Sequence, residues 1–250
     1  MAHFQQRRFV EEVRAHFPEY FARTKVLEVG SWDVTGSVRE LFHRCDYLGV
    51  DLASGPGVDL VISGEALALP TGTFDFVISC ECFEHNPFWL ETFVNMTRML
   101  KAGGLFVFTC AGIGRGEHGT ARSNPSLSLT AAGPNADYYR NLSRRDFSRR
   151  IDLAKHFIRH DFFDNRYAKD LYFVGVKTTQ KPDPELDAKF ASLRRAVRQI
   201  RLDKPTSFLR AAGAHGEWWL KWTMSRLIGE TRYHDLRHRL RPRAIPRPVA

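Results

Sequence analysis

Residues 26–37, VLEVGSWDVTGS, lead from an apolar stretch through an acid, Glu28, into a turn opened by Gly30. A second apolar stretch, YLGV, ends in Asp51, 21 residues after Gly30. A glycine turn lets the backbone approach a ligand with no side chain in the way. A carboxylate at the end of the next strand can accept charge-assisted hydrogen bonds from a pair of hydroxyls. The two together suit a nucleoside, with Asp51 on the ribose. Two histidines, whose charge changes most readily near neutral pH, follow: His85 in ECFEH and His118 in GRGEHGT. Cys80, Glu81, Cys82, Glu84 and His85 crowd into six residues, but their spacing is not that of a zinc site. No metal is expected.

These residues need elements to position them. Strands are expected at 25–30, 46–50, 59–62, 74–79 and 104–109, with helical patterns at 36–43 and 88–100 between them. Phe9, Val13 and Phe17 recur every four residues and predict an N-terminal helix over 3–17. Residues 111–142 form a long loop of the kind that serves as a lid. A helix at 143–154 and strands near 157–163 and 170–177 complete the body. Strands alternating with helices imply an α/β fold, a doubly wound and mostly parallel sheet covered on both faces. Ligands bind such sheets beyond the carboxyl ends of the strands.

The 250 residues suffice for one large domain with an appendage. No run of about 18 apolar residues is present, and the first residues lack an apolar signal core. The four cysteines follow no disulfide framework. A cytoplasmic protein is expected. The +9 net charge is concentrated near the end: residues 193–250 hold 14 Lys and Arg against 4 Asp and Glu. KPDPE at 181–185 reads as a linker, dividing a body of 1–180 from a basic helical extension of 181–250. Helical patterns at 185–202 and 214–229 and a disordered tail at 240–250 are expected there.

The ordered motifs of residues 20–178 resemble those of the class I S-adenosylmethionine-dependent methyltransferases, in the branch acting on small molecules and sugars. LEVGS with Asp51 resembles the first two motifs, and GEALALP at 64–70 the adenine-side loop. FDFVISCECFEH at 74–85 is similar to the fourth strand with its Glu-His pair, and LKAGGLFVFT at 100–109 to the fifth. DYYRNLSRRDF at 137–147 is similar to the approach to strand six. The resemblance implies a seven-stranded Rossmann-like sheet whose last strand is antiparallel, at the sheet's edge. It also implies S-adenosylmethionine as donor, held by Glu28, Gly30, Trp32, Asp51, Leu52, Glu65, Ala66 and Cys80. Glu28 would receive the donor's amino end, and Glu65 with the Ala66 amide would read the adenine.

One departure stands out. Ser31, Trp32, Asp33 and Val34 occupy the loop where the family carries further glycines, and Gly36 comes only later. The same spacing disfavours a dinucleotide, whose pyrophosphate needs closely spaced glycines. Methyl transfer to an alcohol calls for a base. His118 and His85 are the candidates, with Tyr138, Tyr139 and Arg140 facing a saccharide or other small acceptor.

The extension places Arg194, Arg198 and Arg201 on one helix face and three tryptophans beside Lys221 and Arg226. Residues 190–243 are expected to contact a partner or, peripherally, an anionic membrane. Nucleic acid fits the charge, but no RNA-binding module is recognisable. The expected reaction is therefore methyl transfer to a hydroxyl of a saccharide or other small metabolite. The alternatives are an RNA methyltransferase using the basic tail, or a non-catalytic protein with a degenerate donor pocket.

Overall fold

A computed structural model describes residues 4–34, 36–132, 135–181, 183–200 and 219–240. Seven strands form one sheet: β1 Lys25–Val29, β2 Asp46–Asp51, β3 Leu60–Val61, β4 Phe74–Cys80, β5 Leu100–Ala111, β6 Phe157–Asn165 and β7 Asp170–Lys177. Their order is β3-β2-β1-β4-β5-β7-β6. The first five pair in parallel, while β7 runs antiparallel to both β5 and β6. This is the expected Rossmann-like sheet with an antiparallel last strand. That strand is not at the edge, however: β7 is inserted between β5 and β6, and its side chains are buried almost throughout.

Period-two alternation assigns the two faces. On β5 and β7, Leu105, Val107, Tyr172 and Val174 join one core, while Phe106, Phe108, Leu171 and Phe173 join the other. The first core is covered by α1 Phe4–His16 and α5 Leu186–Ile200. Phe9 of α1 stacks on Tyr172 at 4.5 Å, and Phe17 meets Phe190 of α5 edge-on at 5.5 Å. The α5 helix therefore shares the body's core, although the linker signal at 181–185 placed it in a separate extension. The second core is covered by α2 Trp89–Met99, whose Trp89, Phe93 and Met96 recur at helical spacing, and by α3 Arg144–Ser148 and α4 Leu153–His156.

Two expected helices differ. Residues 36–43 form only a 3₁₀ turn at Arg39–Leu41. Asp33 Oδ1 accepts the Gly36 N–H and Ser37 Oγ accepts the Arg39 N–H, so side chains take over bonds that a helix would use. Residues 143–154 split into α3 and α4, because Phe147, Ile151 and Leu153 must all reach one core and a single helix cannot turn all three the same way.

Past residue 218 two further helices are described, α6 over 219–228 and α7 Glu230–Leu240. Arg201 and the tail at 241–250 lie outside the described residues. Among the described residues no helix is long and apolar enough to cross a membrane.

Candidate active site

The carboxyl ends of β1, β2 and β4 open into a cleft enclosing about 730 Å³ outside the atoms, part of it continuous with solvent. One side is built by strand ends. Gly30 follows β1 at φ +82°, a conformation that favours glycine, and a Cβ there would lie 2.5 Å from Cys82 Cβ. The Gly30 and Ser31 N–H groups both donate to Val50 O, which ties the turn to the end of β2. Asp51 ends β2, accepting from Trp32 N–H at 3.0 Å on Oδ2 and from Leu52 N–H at 2.8 Å on Oδ1. Each oxygen has a further lone pair. Burial raises the Asp51 pKa above its ordinary value, and those two N–H groups partly offset it. Trp32, Leu52 and Glu65 line this side, with Thr92 Oγ1 donating to Glu65 Oε2 at 3.2 Å.

Three expected donor residues are placed otherwise. Glu28 points away from the cleft lining and accepts from Tyr47 Oη at 2.7 Å, with its pKa raised by burial. The alternation of β1 sends its side chain to the layer below the turn. Ala66 does not line the cleft, and its N–H donates to Ser63 O within a turn. Cys80 is buried in the α1-side core, where burial pushes its thiol up. Cys82, two residues on, lines the cleft in its place, along with Ile62 and Ser63.

The other side is built by the turn after β4 and by the long loop. Glu81 adopts φ +52°, sparsely populated for a non-glycine residue. It leads into a turn in which His85 N–H donates to Cys82 O. Glu84 is fully buried and His85 nearly so. Burial, then the neighbouring Glu81 carboxyl, holds the Glu84 pKa well above its ordinary value. Burial, then the charge of His118, pushes His85 well below its own, so His85 stays neutral.

The loop starts and ends together: Gly112 bridges to Leu142, and Leu142 N–H donates to Ala111 O. Between these ends it carries His118 against His85, with ring centroids 5.1 Å apart and planes at 88°. Tyr139 packs on both, at 5.4 and 5.2 Å. Gly116 O accepts from Tyr139 Oη at 3.2 Å and from His118 Nδ1 at 3.0 Å, so Nδ1 carries a proton. Gly119, at φ +63°, leaves room for His85: a Cβ would lie 2.7 Å from its Cε1. Leu127, Ser128, Leu129, Thr130 and Asn135 of the loop close over the cleft.

The loop is held from outside by two anchors. Arg115 Nη1 bonds the buried Asp170 at 3.0 Å. Arg122 takes the buried Glu117 at 2.8 and 2.9 Å and Asp235 of α7 at 2.7 Å. His234 of α7 packs its ring on Tyr139 at 5.4 Å.

His118, Tyr138, Tyr139 and Arg140 fall outside the cleft lining, His118 and Tyr139 reaching it only through their contacts with His85. The Arg140 N–H donates to Glu84 O, but its side chain pairs with Asp146 and lines a neighbouring groove with Arg145, Arg149, Arg150 and Arg226. Sequence reading missed Glu81, Cys82, Asn86 and the 127–135 cover. Only Glu81 left a signal, standing three residues before the Glu-His pair.

The cleft fits S-adenosylmethionine. Gly30 leaves no side chain in the way, Asp51 retains acceptor capacity at the end of β2, and the lining is mainly apolar around a few polar groups.

The family described as "Methyltransferase domain" matches residues 35–108. No curated protein matches. Among solved structures, the chain is similar to the Burkholderia thailandensis 1,6-didemethyltoxoflavin-N1-methyltransferase, with 15% identity over 69% of this chain and 79% of that one, TM-score 0.45. It is similar to the arsenic (III) S-adenosylmethionine methyltransferase of Chlamydomonas reinhardtii, with 16% identity over 66% and 67%, TM-score 0.42. It is also similar to Haemonchus contortus phosphoethanolamine N-methyltransferase 2, with 17% identity over 86% and 48%, TM-score 0.46. Their acceptors differ in kind, and nothing about the acceptor passes from them to this chain.

Proposed function

We propose that the chain is a class I S-adenosylmethionine-dependent methyltransferase, with S-adenosylmethionine as its methyl donor, and that it transfers the methyl group to a hydroxyl oxygen of a saccharide or similar small metabolite. The observation that carries this reading is the histidine pair, His85 lining the cleft and held neutral by burial, and His118 packed against it with its Nδ1–H on Gly116 O.

The donor supplies a methyl group on a sulfonium. The O–CH₃ bond forms as the CH₃–S bond breaks, and sulfur leaves with the electron pair as the neutral thioether. The hydroxyl proton passes to an imidazole. His118 takes this role through Nε2, because its Nδ1–H is committed to Gly116 O. His85 and Tyr139 hold the ring in place. Gly30, Trp32, Asp51, Leu52 and Glu65 position the donor, with Asp51 on the ribose hydroxyls, and the cover of Leu127, Ser128, Leu129, Thr130 and Asn135 excludes water. An acidic saccharide suits the adjoining arginine groove better than a neutral one. The exposed Trp219, Leu220 and Leu227 of α6, beside Lys221 and Arg226, support a peripheral contact with a partner or an anionic surface.

The test is methyl-labelled donor incubated with the full chain and a panel of neutral and acidic saccharides, amines and RNA. Label is expected in a saccharide ether, with one thioether product released per methyl. Label in amines or RNA alone would overturn the hydroxyl reading. RNA labelling would instead favour the basic-tail alternative.

A further inference from the structure

The loop side of the cleft holds more buried polar atoms than its hydrogen bonds use. Nδ1 of His85, which is 5% exposed, makes no hydrogen bond, and the fully buried Glu84 carboxylate has only loose contacts with the Glu81 carboxyl and with the Glu84 and Ala111 backbone. Buried polar atoms without partners cost free energy, and here they sit on two adjacent residues facing the same space. His118, 33 residues further along, completes the group: one ligand atom each from Glu84, His85 and His118 lie within 4.8 Å of one another.

We propose that Glu84, His85 and His118 bind one divalent first-row transition ion at the edge of the acceptor cleft.

Three features of the geometry favour an ion. Metal–ligand bonds of about 2.0–2.2 Å hold ligand atoms roughly 3–4 Å apart, so the cluster needs only a small contraction. The His118 Nδ1–H is already committed to a backbone carbonyl, the arrangement that fixes a ligating imidazole's tautomer and turns its other nitrogen toward a metal. Gly119 lets the loop backbone approach the edge of His85 where a side chain would clash, which keeps the two histidines together.

The donor set selects the ion. Two imidazoles with a carboxylate suit Mn²⁺, Fe²⁺, Co²⁺ or Zn²⁺, whereas Mg²⁺ and Ca²⁺ prefer all-oxygen shells. Three protein ligands leave coordination positions open, and His85, the ligand that lines the cleft, puts the ion at its edge. A hydroxyl on such an ion loses its proton more readily. Two neighbouring hydroxyls would chelate it, which makes a vicinal diol or catechol the matching acceptor. This last step rests on the hydroxyl reading above; the ligand set does not. With the ion bound, His118 is a ligand and not the proton acceptor.

The test uses the full chain, stripped with chelator and titrated with Mn²⁺ followed by electron paramagnetic resonance, and with Co²⁺ followed by visible absorption. One equivalent of each is expected, undisturbed by excess Mg²⁺. His118→Ala and Glu84→Gln are each expected to weaken binding by about tenfold or more, while both still bind S-adenosylhomocysteine, which shows that they fold. His118→Cys is expected to keep Co²⁺ and add a thiolate-to-cobalt absorption band. No stoichiometric ion in the wild type, or binding undiminished in both variants, overturns the site. In that case S-adenosylhomocysteine binding and saccharide methylation persist, with His118 as base. Ion binding with no methylated hydroxyl keeps the site and removes the hydroxyl reading.

Discussion

The two sides of the cleft are made differently. On the strand-end side, Gly30 and Asp51 close adjacent parallel strands whose register pairs Val29 with Val50, and backbone N–H groups fix both residues. On the loop side, Glu84, His85, His118 and Tyr139 come from three segments. They are held by ring contacts, by the Gly112–Leu142 closure and by α7 from the far end of the chain. The strand-end side is a consequence of the sheet and changes little unless the sheet does. The loop side depends on distant contacts that can be retuned without touching the sheet, which suits it to choosing an acceptor.

Substitutions should therefore separate the two sides. The largest effect is expected from His118→Ala: a turnover lower by about 10²–10⁴-fold with S-adenosylhomocysteine affinity unchanged in calorimetry. A matching loss of product affinity would mean that the two sides are not independent. Asp51→Ala should do the reverse, weakening S-adenosylhomocysteine binding by about 1.5–3 kcal/mol through lost charged hydrogen bonds. Its ranking of acceptors should be unchanged.

Arg122→Ala leaves the buried Glu117 carboxylate without its guanidinium and cuts the tie to Asp235 of α7. The loop should open more easily by about 1–2 kcal/mol, seen as roughly tenfold faster limited proteolysis within 115–141. Cleavage that begins instead in the sheet would refute the division.

The smallest effect concerns pH. Burial raises the Asp51 pKa, so the carboxylate is lost at a higher pH than is usual for an aspartate. Donor affinity should therefore fall as pH drops through that raised value. S-adenosylhomocysteine titrations carried from neutral into acidic pH should show weakening in the wild type and a flat profile in Asp51→Asn.

The expectations succeeded where local pattern decides. Strand positions, the Gly30 turn and Asp51 follow from apolar periodicity and turn chemistry within short windows. They failed where a side chain's direction or a distant partner decides. Glu28 was misplaced because its strand parity turns it under the loop toward Tyr47. Cys80 and Cys82 exchanged roles because β4 runs to Cys80 and the chain then bends at Glu81. The helix at 36–43 was lost to Asp33 and Ser37, whose side chains hold the backbone in turns. The expectation of no metal rested on the spacing of Cys80, Glu81, Cys82, Glu84 and His85, and local spacing does not record that His118 comes within 4.8 Å of Glu84 and His85.

By itself the sequence determined the α/β alternation, the strand ends that open into the cleft and the acid, Asp51, that closes β2 there. These depend on residues near one another in the chain, read through periods of 2 and 3.6. The tertiary structure alone decided that β7 lies between β5 and β6, that α5 belongs to the core and that α7 braces the lid. It alone brought His118 beside Glu84 and His85. Each of these is a contact between segments far apart along the chain, where no local periodicity records which surfaces will meet.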